Sequence, residues 1–367
     1  MIPFKTGVHV IGPDFCARQS ELEWLRELME SAGRVYVVGE RRIGKSSLIA
    51  EAVRPFRDIR AVFVDLMALK DLEDLTHRLG QAILTSETQQ SRVMSLMRSL
   101  SSLRPSMTVD STTGSPSITF APGTGQRLET LDELFGVIGG WKRAVLVLDE
   151  FQDVLTLGDS RRVLARLRSL VQTQQKVAFV FSGSIRNQME EIFTNQESPF
   201  FNSASRLRVG PLDRALFRRY LQTRFAGGGR SVSMPRLDAI LDACHDNPGH
   251  VQRFCISLWQ VTSEGREISD ADMVEAWNVL FGMQRDAYEL TLTTLSTQQT
   301  RVLRALAHIG GESTLSADFI EMTGITLAPS VRKAMVTLVA RRLVQKDQTT
   351  YRICDPFLAA WLRLQAT

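Results

Sequence analysis

The stretch VVGERRIGKSSLIAEAV, residues 37–53, constrains this chain more than any other. Gly39-Glu40-Arg41-Arg42-Ile43-Gly44-Lys45-Ser46 satisfies G-x-x-x-x-G-K-[ST], with an apolar run before it and a helix-like segment after it. A tight loop of this composition points backbone N–H groups at phosphate oxygens, and the helix N-terminus that follows favours negative charge. In that geometry Gly39, Arg42, Ile43 and Gly44 form the cradle. Lys45 reaches the outer phosphates, Ser46 ligates a divalent ion, and Ser47 lies beside it. The pattern requires a strand, a loop and a helix in that order, and so an α/β fold.

The neighbouring segments repeat the alternation. RVYVVGE reads as a buried strand, AVFVDLM at 61–67 as a second, RAVLVLDEFQDV as a third and KVAFVFSGS as a fourth. Helical patterns lie between them, at 71–100, 128–140 and 159–173. Buried strands alternating with helices predict a parallel sheet covered on both faces. Residues 101–126 differ in texture, being rich in Ser, Thr, Gly and Pro; SMTVD and SITF pair as a hairpin or lie in a surface loop. The core is expected to span 1–211.

The third strand ends in Asp149 and Glu150. An aspartate there holds Mg²⁺ with Ser46, and a glutamate beside it orients and polarises an attacking water. Asp149, Glu150 and Lys45 are therefore the candidate catalytic residues. Ser182 and Ser184, at the end of the next strand, are within reach of the same chemistry, and Ser184 is the better placed.

After Pro211 the strands stop. Helices fill 212–292, broken at HDNPGH, and form an expected helical lid. From 293 to 367 three short helices and two small strands around a polar turn suggest a winged helix. In its third helix Val331, Met335, Leu338 and Val339 are expected to face the core. That leaves Arg332, Lys333, Thr337 and Arg341 outward, with Lys346 at the base of the wing, as candidate DNA contacts.

The order FCARQSEL, GERRIGKSSLI, LVLDEFQDV, FVFSGS, SPFF, DNPGHVQRFC and YRICDPFLAAWL resembles the archaeal-type P-loop ATPases and their bacterial relatives, within the STAND/AAA+-related group. The likeness runs over nearly the whole chain. It implies a P-loop core, a helical lid and a winged helix, with ATP and Mg²⁺ as cofactors. It also places Arg18 near the nucleotide, and Asn247, Pro248 and His250 at the start of a lid helix beside it. One departure matters: Asn202-Ser203 stands where relatives often carry Gly-Arg, with Arg206 or Arg208 as possible substitutes. No Asn-Lys-x-Asp phrase for reading guanine is present, and the resemblance favours adenine.

Charge bears on partners. The net charge is +4, yet Arg206 to Arg230 holds seven arginines against the single acid Asp213. Ser296 to the end holds nine Lys and Arg against five acids. Two outputs stay open on these grounds: DNA contact through the winged helix and the basic stretch, or a nucleotide-gated switch for a protein partner or self-association. No apolar run approaches a membrane span, no secretory leader is evident, and the four cysteines show no metal spacing. A cytoplasmic protein binding ATP and ADP, with no membrane partner, is expected.

Overall fold

A computed structural model describes residues 2–87, 90–109, 116–184, 186–347 and 349–365. They cluster into two units, Val8–Pro211, and Met1–Gly7 together with Leu212–Thr367. The first seven residues, counted with the core in the sequence reading, thus fall in the second unit.

In the first unit the strands are β1 (Arg34–Val38), β2 (Arg60–Asp65), β3 (Pro105–Val109), β4 (Pro116–Phe120), β5 (Ala144–Asp149), β6 (Val177–Gly183) and β7 (Ser205–Arg208). The helices are α1 (Gln19–Glu30), α2 (Lys45–Val53), α3 (Leu72–Thr85), α4 (Gln90–Ser99), α5 (Leu128–Gly139), α6 (Ser160–Thr173) and α7 (Arg186–Thr194). Five strands form one parallel sheet in the order β2-β5-β6-β1-β7. β3 and β4 pair separately as an antiparallel hairpin, which decides the open choice at 101–126; the STTG turn lies outside the described residues. The expected helix over 71–100 is two helices, α3 and α4.

The near-continuous apolar strands divide by alternation. Val35, Val37, Val145, Val147, Ala178 and Val180 pack with Leu22, Leu25, Leu48 and Ile49 of α1 and α2. Tyr36, Val38, Leu146, Leu148, Phe179 and Phe181 face the opposite core with α3, α5 and α6. A side-chain period of two sends successive residues to opposite faces, and both faces are covered, so the central positions are almost all apolar until the strand ends. The acids therefore appear at Asp149 and Glu150, where β5 emerges. Between β1 and β5 lies β6, so the strand feeding the phosphate loop and the strand bearing the acids flank a third.

The second unit contains α8 (Arg214–Ala226), α9 (Met234–Ala243), α10 (Pro248–Val261), α11 (Asp270–Thr293), α12 (Thr297–Ile309), α13 (Ala317–Thr323), α14 (Ala328–Ala340), β8 (Val344–Asp347), β9 (Thr350–Ile353) and α15 (Pro356–Leu364). Helix starts carry their caps: Asp213 accepts from Leu216 N, while Ser269 with Asp272 and Ser296 with Gln299 form capping boxes. α12, α13, α14 and the β8–β9 hairpin make the winged helix. Phe4, from the chain's start, is buried in this unit against Phe225 and Trp259, with ring centroids 4.8 and 6.1 Å away.

Candidate functional site

The phosphate loop joins β1 to α2 through backbone geometry that few residues allow. Gly44 has φ +97° and Arg42 φ 64°, both left-handed. A Cβ on Gly39 would sit 2.5 Å from the Val209 carbonyl oxygen, so only glycine lets the loop pass the end of β7. The Ile43 side chain is buried and pins the loop to the core, whereas that of Arg42 is exposed. Lys45 is only 6% exposed, and its Nζ donates to the carbonyls of Gly39 (3.0 Å) and Glu40 (3.1 Å). Burial lowers its pKa, opposed by the nearby Glu150 and Asp149 carboxylates.

Ser46 Oγ donates to Asp149 Oδ2 at 2.7 Å, joining the phosphate-loop helix to the end of β5. This hydroxyl and carboxylate are the pair that could hold a divalent ion. Both are hard oxygen donors, and Mg²⁺ is usually held by one or two protein oxygens plus phosphates. Among the described residues no group of three His, Cys, Asp or Glu forms an all-protein metal cage.

Glu150 follows in a left-handed conformation, φ 51°, and is 8% exposed. The turn drops Phe151 into the core, where Phe181, Phe200 and Phe193 lie 4.7, 5.5 and 6.0 Å away. Phe200 belongs to the SPFF segment, whose function here is to wall this aromatic cluster. Truncating such a buried ring costs about 3–5 kcal/mol, so Glu150 is held by a stiff support. Its Oε2 accepts from Ser184 Oγ (2.7 Å) and from Gln152 Nε2 (2.5 Å). Ser182 is fully buried, with its Oγ unpaired among the described residues. Gln152 has no sequence signature: what brings it back to Glu150 is the left-handed turn, which the letters DEFQD do not announce.

Arg18 lies against the phosphate loop itself. It is 8% exposed, and one guanidinium nitrogen donates to the carbonyls of Ile43 (3.0 Å) and Gly210 (2.6 Å), the other to Glu21. It braces the phosphate loop through the backbone; burial lowers its pKa and Glu21 opposes the change. Ser47 likewise has a protein partner, accepting from Val10 N at 3.0 Å. Four residues on, Glu51 accepts from Gly12 N at 2.7 Å, so one face of α2 holds the segment 10–12 by its backbone. Asn202-Ser203 lies level with Gly33, where both residues line a cavity of about 500 Å³. That is the opposite end of the sheet from Gly39, roughly 20 Å away at 3.3 Å per residue. An arginine there could not reach a phosphate in the same chain, and Arg206 pairs instead with Glu190.

In the second unit, Pro248 opens α10, Asn247 caps it by accepting from Gly249 N, and His250 packs 5.6 Å from the ring of Phe357. The basic stretch is partly engaged by other side chains, while Arg208 and Arg219 are exposed. Arg214 pairs with Asp242 and Asp246, Arg218 with Asp238, and Arg230 stacks 3.8 Å over Trp259 while donating to the Thr262 carbonyl. On the winged helix the five candidate contacts also separate. Arg341 is exposed, as expected, and donates to the carbonyl (2.6 Å) and hydroxyl of Thr294, closing the end of α11. Thr337 bonds to its own helix, and the Lys346 ammonium lies 5.3 Å over Tyr351. Arg332 and Lys333 are exposed, with no side-chain partner among the described residues. Val339 is half-buried rather than core, and Val336 beside it is 69% exposed.

Comparison with known proteins agrees with this architecture. Residues 26–189 match the family described as "AAA domain", and residues 286–364 the family described as "Probable winged helix domain". No curated protein matches the sequence. Among solved structures, the Walker-type ATPase paby2304 of Pyrococcus abyssi is 20% identical, with 98% of this chain and 99% of that one covered and a TM-score of 0.69. The Aeropyrum pernix ORC2 protein, in ADPNP–ADP complexes, is 18% identical over 98% and 95%, with a TM-score of 0.56. The Aeropyrum pernix ORC1 protein, in complex with DNA, is 12% identical over 96% and 93%, with a TM-score of 0.55. At these identities the likeness is one of fold. The chain thus carries an AAA domain, with the phosphate loop within it, and a winged helix domain behind, in the fold of these solved ATPase structures.

Proposed function

We propose that this chain binds ATP with Mg²⁺, hydrolyses it, and uses its winged helix to contact DNA. The observation that carries the hydrolysis reading is the 2.7 Å hydrogen bond between Ser46 and Asp149, with Glu150 beside it. Ser46 and Asp149 would hold Mg²⁺, which when bound neutralises charge on the phosphate oxygens it touches. Lys45, now shared between two loop carbonyls, exchanges one of them for a phosphate oxygen and offsets developing negative charge. Glu150 orients the attacking water and takes up its proton, with both jobs done from a fixed carboxylate. The backbone N–H groups of the loop hold the phosphates.

The exposed, unpartnered Arg332 and Lys333 on α14 support DNA contact, since cations on such a helix suit duplex phosphates. A likeness in fold to a protein solved in complex with DNA supports the same reading.

Phosphate release by the purified chain, with and without duplex DNA and beside Glu150→Gln, tests the proposal. Stimulation by DNA that disappears in Glu150→Gln supports both parts. Turnover that ignores DNA leaves the hydrolysis reading standing and removes the DNA reading in favour of a protein partner.

A further inference from the structure

We infer that Gln152 is a positioning residue for Glu150: with Ser184 it clamps one carboxylate oxygen so that the other faces the attacking water. The inference rests on the hydrolysis reading above. Gln152 is fully buried, in the turn after β5, with its amide against Gly183 at the end of β6. Its amide orientation is fixed by chemistry. Nε2 lies 2.5 Å from Glu150 Oε2 and 3.1 Å from Asp153 Oδ1, and an oxygen between two carboxylates would be repelled. The other end of the amide gains nothing from this arrangement: Oε1 is buried with no partner among the described residues. A Cβ at Gly183 would collide with that oxygen and with Met189, so β6 carries a glycine where the amide needs room.

A buried acceptor without a partner is uncommon in folded proteins and calls for a reason. Here the reason is the donor at the other end. Two donors, Gln152 Nε2 and Ser184 Oγ, converge on Glu150 Oε2, while no described residue donates to Oε1. A carboxylate fixed in this way has one oxygen occupied and one lone-pair edge for a water. The left-handed turn at Glu150 and the packed ring of Phe151 remove the remaining freedom of its backbone.

The test compares the full chain with Gln152→Met, which keeps volume and loses the donor, and with Gln152→Asn, which keeps the amide but retracts it. Three quantities are read: kcat, KM, and affinity for a fluorescent ATP analogue. Misaligning a catalytic group by about an ångström lowers kcat roughly tenfold to a hundredfold, and that loss is expected in both variants with KM and affinity within twofold of wild type. Wild-type kcat in both variants overturns the inference, as does a fall in kcat matched by an equal loss of affinity, which is what a merely structural role would give. A wild-type chain with no turnover under any condition overturns the hydrolysis reading and this inference with it. A wild type that turns over beside equally active variants overturns the inference alone.

Discussion

Lys45, Glu150 and Arg18 are each less than a tenth exposed and each hydrogen-bonded to named partners, whereas Arg332 and Lys333 stand in solvent with none among the described residues. The first group is charge under constraint, fixed in place by its partners. The second is charge at liberty, suited to a partner whose phosphates have no single required position. α8 offers a third case. Its arginines are as numerous as those of any segment, yet Arg214 and Arg218 are engaged by acids at and after α9. Local charge counted along a chain therefore says little about charge presented to a partner.

The comparison can be broken at several points. The largest effect is expected from Glu150→Gln, which should cut turnover by roughly a hundredfold to ten-thousandfold while nucleotide still binds. Single-turnover kinetics beside a binding isotherm measure the two separately; a parallel loss of both would mean that Glu150 supports the fold and not the chemistry. Lys45→Ala should weaken nucleotide binding by about a hundredfold, since a charge-assisted contact to phosphate is lost. Calorimetry would show it, and an unchanged affinity would remove the phosphate loop from the argument. Arg18→Ala leaves two carbonyls without a donor and should cost about 2–4 kcal/mol of unfolding free energy in urea. Arg18→Lys should not restore it, because an ammonium lacks the planar fork that spans both carbonyls.

Smaller effects sharpen the contrast between α14 and α8. Replacing Arg332 and Lys333 together with alanine should reduce the slope of log affinity against log salt by about 2, one per lost phosphate contact. Fluorescence anisotropy with a labelled duplex reads that slope, and basal turnover should not change. Arg214→Ala should cost no more than about 1 kcal/mol of stability, since its ion pairs are partly exposed, and should leave the salt slope alone. If it instead weakened DNA binding as much as the α14 pair, the distinction between engaged and free arginines would fail.

What could be read in the letters follows the range of the interaction that decides it. The phosphate loop is a spacing rule within eight residues, and the strand ends at Asp149 and Ser184 follow from apolar runs that burial on two faces enforces. The hairpin strands 105–109 and 116–120 and the three helices before β8 are likewise local patterns. Gln152 was not legible, because its use depends on the dihedral angle of Glu150 and on a glycine thirty-one positions later. The fate of the basic stretch depends on helix pairing. In retrospect a signal exists: Arg214 and Arg218 stand four apart, as do Asp238, Asp242 and Asp246, the spacing that would let two helices zip together. Arg18 escaped for a similar reason, since its partners are carbonyls 25 and 192 residues away that any sequence would supply.

Phe4 lies in the second unit, although the next two hundred residues build the first. The second unit is therefore discontinuous, and the nucleotide unit is an insertion within it. During synthesis the segment Val8–Pro211 is complete while α8 to α15 are still to be made, and domains fold as units as they emerge. The nucleotide unit can thus close on itself first. Phe4 must wait exposed until Phe225 and Trp259 have been added, so the chain's beginning is among the last parts to find its place.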